Sequence, residues 1–315
     1  MERFILFAGT ANPPLAQAVA RELGVALGAS TVERFPDGEV SVRLGESVRG
    51  CEVFILQPTA PPVSDHLAEL LVFADACRRA AAARVVAIVP YFGYARSDRR
   101  KGERTPVAAS LVAALMETAG IEHVITLDAH SAQVEGFFRI PIDNLTAVPI
   151  LCDALRARIT PDSVVVSPDL GAVRLATEYG RRLGLPIAVC HKERISGAQV
   201  KVAQIVGDVR DRSCVIIDDM ITTGGTIAEC VGALKAAGSR PEVTVAATHA
   251  ILVDSARERL VAAGVRELVV TDTVVEKAGG APSVRIVSAA PPIADVVRRV
   301  VADASLHALS SLAYS

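Results

Sequence analysis

The chain has no tryptophan, few aromatic residues and almost no excess charge. Its 315 residues include four Tyr and eight Phe, aromatic residues make up 4%, and the formal net charge is -2. Proteins that bind nucleic acids need a basic surface for the phosphate backbone, and binders of single strands add aromatic stacking. Because both features are missing, the composition argues against nucleic acid as a partner.

The cysteine patterns that signal a disulfide framework or a zinc site are also missing. The six cysteines are scattered, with no CxxC pair and no zinc spacing. Most lie in apolar runs, where cysteine acts as a small hydrophobic residue, and this usage fits a reducing cytoplasm. They occupy positions 51, 77, 152, 190, 214 and 230.

No uninterrupted apolar run reaches the roughly 18 residues that a membrane-spanning helix needs. The alanine-rich stretch near 68–90 is broken by Arg78, Arg79 and Arg84. The apolar start, MERFILFAGT, is short and lacks a basic segment, so it predicts a first β-strand and not a signal peptide. The sequence therefore predicts a cytoplasmic protein with no membrane partner.

What the chain does have is a regular alternation of two patterns. Short β-branched apolar runs alternate with Ala/Leu-rich helical patterns, which is typical of βαβ units around a mostly parallel sheet. The predicted strands are 3–9, 52–58, 84–91, 123–128, 163–169, 187–192, 214–219, 243–250 and 267–272. The predicted helices are 13–27, 64–81, 105–119, 146–157, 170–183, 226–237 and 254–263.

The order of these pieces repeats about 160 residues later in the chain. The first half carries RFILFAGTANPPLAQAVARELG and the second SVVVSPDLGAVRLATEYGRRLG. A period of this length is too long for a solenoid and indicates two domains of one α/β fold, predicted as 1–145 and 146–315. Chance similarity among βα units is the alternative that the sequence leaves open.

One loop in the second half has the composition of an anion site. The stretch Cys214–Cys230 reads CVIIDDMITTGGTIAEC, an apolar strand, two acids, a Thr/Gly run and a helix. Glycines let backbone N–H groups converge on an anion, and a helix N-terminus adds positive potential. The loop has no Lys and matches neither the GxxxxGK[ST] loop nor GxGxxG. An ordinary turn with a threonine N-cap is the alternative. The candidate residues are Asp218, Asp219, Thr222, Thr223, Gly224, Gly225 and Thr226.

This stretch resembles the phosphoribosyl-pyrophosphate motif of type I phosphoribosyltransferases and ribose-phosphate pyrophosphokinases. The rest of the chain resembles the second group over nearly its full length, in segments that a plain phosphoribosyltransferase does not need. These segments are RFPDGEVSVRLGESVRG, PYFGYARSDRRKGERTP, TLDAHSAQVEGFFRIPIDNL, VVSPDLGAVRLA and HKERISGAQV. The resemblance implies two phosphoribosyltransferase-like domains, each with a mostly parallel sheet flanked by helices.

The resemblance also implies a reaction, in which the β,γ-diphosphate of ATP moves to the C1 hydroxyl of ribose 5-phosphate, with Mg²⁺ as cofactor. The loop would hold the 5-phosphate and the acids would meet ribose hydroxyls. Lys192 and Arg194 would be catalytic, and Arg194 would also contact ribose 5-phosphate. His130 and Asp169 would hold Mg²⁺. The implied ATP contacts are Phe35, Asp37, Gly38, Glu39, Arg96, Ser97, Arg99 and His130.

The implied partners are the two substrates and further copies of the chain, in a homo-oligomer expected to be a hexamer. Two other functions remain open on the sequence. One is a catalytically silent regulatory relative of the enzyme, and the other is a phosphoribosyltransferase.

Overall fold

The computed structural model describes residues 4–100, 102–194, 200–275 and 281–306. The described chain forms two compact units. The first contains residues 4–146, 273–275 and 288–306, and the second contains 147–272 and 281–287. Among the described residues, no helix has both the length and the apolar character to cross a membrane.

The first unit is a five-stranded parallel sheet with helices on both faces. Its strands follow the order β1-β4-β5-β6-β7, and β2 and β3 form a separate antiparallel hairpin. The strands are β1 (Phe4–Ala8), β2 (Ser30–Arg34), β3 (Val40–Leu44), β4 (Glu52–Leu56), β5 (Arg84–Val89), β6 (His123–Leu127) and β7 (Ile142–Leu145). Its first three helices are α1 (Pro13–Leu23), α2 (Val63–Arg79) and α3 (Ala108–Ala119).

The central strands of this sheet are buried along their whole length, which explains why they read as continuous apolar runs. Every residue of β4 is buried. Successive side chains point to opposite faces, so Val53 and Ile55 pack into one core while Phe54 and Leu56 pack into the other. A sheet covered on both faces needs this composition.

The second unit repeats the same sheet with an added edge. Its strand order is β10-β9-β8-β11-β12-β13-β14. The five neighbouring strands β8-β11-β12-β13-β14 repeat the order β1-β4-β5-β6-β7 of the first sheet. Its strands are β8 (Val164–Ser167), β9 (Ile187–Arg194), β10 (Val200–Val206), β11 (Cys214–Ile221), β12 (Val243–Ala250), β13 (Val265–Thr271) and β14 (Ser283–Val287). Its helices are α4 (Val148–Leu155), α5 (Val173–Leu183), α6 (Gly225–Ala236) and α7 (Ala256–Ala263). The shared order supports a true duplication over chance similarity, and the predicted α/β fold class is confirmed.

The last helix requires a correction to the predicted ranges. Helix α8 (Ala290–Val301) was absent from the predicted helices, and the range 146–315 assigned its residues to the second domain. In the structure its apolar face, including Ile293 and Val297, packs in the core that holds Leu15 and Val19 of α1. The helix thus belongs to the first unit, because that unit supplies the apolar surface it needs.

Candidate active site

The two acids of the motif lie inside a strand and not at its end. Strand β11 continues past Asp218 and Asp219 to Ile221, since it pairs with β12 up to Ile221 and Ala250. The predicted strand end at 219 is therefore two residues too early. The extension separates the acids from the loop, because a strand rises about 3.3 Å per residue and two residues follow Asp219 before the loop begins.

A third carboxylate lies beside the two acids. Strands β8 and β11 are parallel neighbours in which Val166 pairs with Ile216, and Asp169 follows Val166 by the same three residues as Asp219 follows Ile216. Burial raises the pKa of Asp218 well above its ordinary value, and the charges of Asp219 and Asp169 raise it further. Three carboxyl groups thus lie close enough to influence one another's charge.

Asp169 is held by the start of the helix that follows it. Its Oδ1 accepts hydrogen bonds from the N–H groups of Gly171 at 2.9 Å and Ala172 at 3.2 Å. Its carbonyl accepts one from the Ser167 hydroxyl at 2.6 Å. Among the described residues, none donates a hydrogen bond to Asp169 Oδ2. The geometry therefore fixes the carboxylate while leaving one oxygen for a ligand.

The Thr/Gly loop turns its carbonyls to one side. The carbonyl of Thr222 accepts a hydrogen bond from the Val253 N–H at 3.1 Å, and that of Thr223 accepts one from the Arg259 guanidinium. In a trans peptide the N–H group points opposite to the carbonyl. The N–H groups of Thr223 and Gly224 therefore point away from the segment 253–260, as an anion-binding nest requires.

Helix α6 adds further donors to this loop. Gly224 is its N-cap, in the left-handed conformation with φ 70°, and the helix begins at Gly225 without a side-chain cap. The first intrahelical hydrogen bond runs from the Ala228 N–H to the Gly224 carbonyl at 2.9 Å. The predicted alternative, a threonine N-cap, is wrong at this loop. The N–H groups of residues 225–227 remain as donors for an anion.

The corresponding place in the first unit is filled by protein side chains. Gln57 Oε1 accepts a hydrogen bond from the Ala11 N–H at 3.0 Å, and Glu69 Oε1 accepts one from the Thr10 N–H at 2.6 Å. Gln57 and Glu69 are both buried. A side chain at Gly9 would meet Gln57 Oε1 at 2.1 Å. In the first unit, side chains at the end of β4 and in α2 thus hold the loop that follows β1.

Apart from His130, the residues implied as ATP contacts lie in two exposed segments of the first unit. Phe35, 48% exposed, begins the turn that joins β2 and β3 in their antiparallel hairpin. In that turn Gly38 has φ 97°, and Asp37 Oδ1 accepts a hydrogen bond from the Glu39 N–H at 3.1 Å.

The second segment follows β5. Arg96 and Arg99 are exposed there. Ser97 has a structural contact that the sequence did not suggest, since its hydroxyl oxygen accepts a hydrogen bond from the Ala108 N–H at 3.2 Å, at the start of α3.

His130 is exposed and follows β6 at its carboxyl end. The preceding Ala129 N–H donates to Asn144 Oδ1 at 3.1 Å. His130 belongs to the first unit and Asp169 to the second. Among the described side chains, no three of His, Cys, Asp or Glu form a group that could hold a metal alone.

The backbones of Lys192 and Arg194 lie in β9, opposite Val202 and Val200 of β10. Their side chains lie outside the described part of the structure. Arg259 was not among the predicted site residues, since the run SARERL is typical of an ordinary exposed helix start. Only the contact with Thr223 marks this residue as part of the site.

The fold and the site together define a pair of phosphoribosyltransferase-type units, of which one carries an acid pair and an anion loop. Residues 4–120 match the family described as the N-terminal domain of ribose phosphate pyrophosphokinase, and residues 143–277 match the phosphoribosyl transferase domain. The chain belongs to the ribose-phosphate pyrophosphokinase family. The predicted family and its enzyme class, ribose-phosphate diphosphokinase, are thereby confirmed.

Individual relatives are similar over almost the whole chain. The ribose-phosphate pyrophosphokinase of Campylobacter jejuni is 42% identical over 309 residues, which are 98% of this chain and 99% of that protein. That of Burkholderia pseudomallei is 44% identical over 94% of both chains. The crystal structure of phosphoribosylpyrophosphate synthetase from Mycobacterium smegmatis has a TM-score of 0.90 and 41% identity, covering 96% of this chain and 100% of that one.

Proposed function

We propose that the chain transfers the β,γ-diphosphate of ATP to the C1 hydroxyl of ribose 5-phosphate, giving 5-phosphoribosyl 1-pyrophosphate and AMP. The observation that carries this proposal is the loop 222–226, whose backbone N–H groups turn to one side in the strand–loop–helix unit that holds Asp218 and Asp219. The full-length similarity to ribose-phosphate pyrophosphokinases supports it. A plain phosphoribosyltransferase would leave the matched N-terminal domain unexplained.

Ribose 5-phosphate would bind with its two ends on different parts of this unit. The 5-phosphate would accept hydrogen bonds from the loop N–H groups and from the hydroxyls of Thr222, Thr223 and Thr226. Asp218 and Asp219, about 7 Å or more before the loop along the strand, would accept hydrogen bonds from ribose hydroxyls. This separation keeps the carboxylates from repelling the phosphate.

ATP would bind through the two exposed segments of the first unit. Phe35 in the hairpin turn offers an aromatic face to adenine, with Asp37, Gly38 and Glu39 beside it. Arg96 and Arg99 would hold the phosphates, since guanidinium groups pair bidentately with phosphate oxygens. Ser97 can still donate its hydroxyl hydrogen, because its hydrogen bond to Ala108 uses only the oxygen as acceptor.

Mg²⁺ fits the donor set of the site. Burial raises the pKa of Asp218, the charges of Asp219 and Asp169 raise it further, and a divalent cation would offset that repulsion. Asp169 and His130 would hold the ion, directly or through water, since Mg²⁺ usually keeps several waters and uses few protein ligands. When bound, the ion would neutralise charge on the ATP phosphates.

The transfer itself would depend on positioning and on charge. The C1 hydroxyl would attack the β-phosphorus, the bond from that phosphorus to the α-phosphate oxygen would break, and AMP would leave. Lys192 and Arg194 would donate hydrogen bonds to the transferring group as its charge redistributes.

Self-association into a hexamer and location in the cytoplasm remain predictions. Light scattering on the purified protein would test the predicted hexamer.

The test is nucleotide analysis of the purified chain with ATP, Mg²⁺ and either ribose 5-phosphate or no acceptor. Diphosphate transfer yields AMP only with the sugar present, whereas transfer of the γ-phosphoryl group alone yields ADP. Label in the γ-phosphate should appear in the sugar product. AMP formation that needs no sugar, or ADP as product, would refute the proposal. Absence of turnover would favour the silent regulatory relative.

A further inference from the structure

Three cysteines converge in one buried core of the second unit. Cys190 lies on β9, Cys214 begins β11 and Cys230 lies in α6, and all three belong to the same apolar cluster. The sulfur atoms of Cys190 and Cys230 are 2.7 Å apart, and both residues are 0% exposed. Since a disulfide has a sulfur–sulfur distance of about 2.05 Å, the two sulfurs need to approach by only about 0.7 Å to bond.

We propose that Cys190 and Cys230 form a reversible disulfide when the protein meets hydrogen peroxide. The two residues are 40 positions apart in the chain, yet their side chains already face each other. Cys190 precedes Lys192 by two residues on β9, and Cys230 lies in the helix that begins at the anion loop. The bond would therefore join the strand that leads to Lys192 to the helix that follows the loop.

The oxidation balances with the peroxide as the only oxidant. The thiolate of one cysteine attacks a peroxide oxygen, the O–O bond breaks, and protonation of the leaving oxygen gives water and a sulfenic acid. The second sulfur attacks the sulfenic sulfur, the S–O bond breaks, and a second water leaves. Two thiols thus lose two protons and two electrons, and the peroxide is reduced to two waters. Two equivalents of a thiol reductant reverse the change.

Two other buried cysteines provide internal controls, because Cys77 and Cys152 lie in two other apolar clusters. Cys214 is the closer competitor, because it lies in the same cluster as Cys190 and Cys230. Burial raises the pKa of Cys214 to about 11, and its Sγ lies 3.9 Å from the Arg212 carbonyl oxygen.

Peptide mapping of the native chain can separate these pairs. The protein is treated with hydrogen peroxide, denatured, alkylated without reductant and digested with trypsin and Glu-C. Cleavage after Arg182, Lys192, Arg212, Glu229 and Lys235 places Cys190, Cys214 and Cys230 on three different peptides. These peptides are 183–192, 213–229 and 230–235.

The expected result is one species in which 183–192 is joined to 230–235, lighter than the two thiol peptides by two hydrogen atoms and lost on reduction. The oxidised chain should unfold about 5–15 °C higher than the reduced chain, because the bond closes a loop of 40 residues. Cys190→Ala and Cys230→Ala should each abolish the joined species. Alkylation of both cysteines after peroxide treatment, a bond to 213–229, or oxidation that stops at sulfinic acid would each overturn the proposal. Peptide mapping and thermal unfolding need no enzymatic activity, so their outcome does not depend on the proposed reaction.

Discussion

The two adjacent glycines of the anion loop should respond in opposite ways to the same substitution. Gly224 has φ 70°, and a Cβ there would meet Leu260 Cγ at 3.1 Å and Cδ2 at 3.2 Å. Gly225 has no left-handed φ, and its Cβ would meet only Thr223 Oγ1, at 3.7 Å. The pair therefore separates backbone strain from ligand access within one loop.

For Gly224→Ala the structure predicts a loss of stability. A left-handed alanine costs roughly 1–2 kcal/mol, and the Leu260 side chain must also shift by a few tenths of an ångström. For a unit of this size the strain alone lowers the unfolding temperature by roughly 2–8 °C. Gly225→Ala should leave that temperature unchanged or slightly higher, because alanine is the better helix former by about 1 kcal/mol.

For substrate binding we expect the larger effect from the substitution at Gly225. At Gly225 a methyl group would project where the backbone approaches the 5-phosphate, and loss of about 1.4 kcal/mol from one hydrogen bond to a charged group raises KM about tenfold. Gly225→Ala should therefore raise the KM for ribose 5-phosphate about tenfold, with the KM for ATP within twofold of wild type.

Circular dichroism melts and steady-state kinetics of both variants check these expectations. An unchanged melting temperature in Gly224→Ala would refute the left-handed assignment. An unchanged KM for ribose 5-phosphate in Gly225→Ala, or a change in the ATP dependence alone, would show that another ligand occupies the loop.

Three further variants test other parts of the site. Lys192→Ala should lower kcat by roughly 10²-fold or more, as loss of one transition-state donor does, with little change in ribose 5-phosphate binding by calorimetry; near-normal turnover would remove Lys192 from catalysis. Arg259→Ala should raise the KM for ribose 5-phosphate about fivefold to tenfold with kcat nearly unchanged, because the Thr223 carbonyl loses its donor. Arg259→Lys should recover part of the loss, while the exposed Arg266→Ala serves as control and should change nothing. Asp218→Asn should raise the unfolding temperature at pH 7 in EDTA while impairing turnover. The pKa of Asp218 is raised in the folded state, so the unfolded chain gives up this proton first and stability falls as pH rises above the ordinary value of 3.8. The gain from Asn should therefore shrink as pH falls toward 4, and a gain independent of pH would contradict this cause.

The strands that could be predicted from the sequence are those buried on both faces of a sheet, because they read as continuous apolar runs. Nine strands were predicted from such runs, and β12 was placed at its observed bounds, Val243–Ala250. The predicted strands omit five of the fourteen that the structure describes, namely β2, β3, β7, β10 and β14. Of these, the short β7 and the mostly exposed edge strand β14 have neither a long apolar run nor a strict alternation, so periodicity carries no signal for them.

Other parts of the site could not be predicted from the sequence, because they depend on contacts between residues that are far apart in the chain. Arg259 contacts Thr223 across 36 residues, and Glu69 contacts Thr10 across 59. In the sequence each is an ordinary charged residue of a helix, and a solvated face is the usual position for such residues. The acids and the Thr/Gly run were found because they are consecutive.

The two units satisfy the polar groups near the carboxyl ends of their strands in different ways. In the first unit the buried Glu69 and Gln57 accept hydrogen bonds from the N–H groups of Thr10 and Ala11, so the polar groups satisfy one another. In the second unit the Val253 N–H and the Arg259 guanidinium donate to the carbonyls of Thr222 and Thr223, and helix α6 begins without a side-chain cap. Burial raises the pKa of Asp218, and the charges of Asp219 and Asp169 raise it further. Under the proposed function, a sugar phosphate with Mg²⁺ would suit both ends of this unit, because its phosphate would accept hydrogen bonds from the loop, its hydroxyls would donate to the carboxylates and the cation would offset their charge.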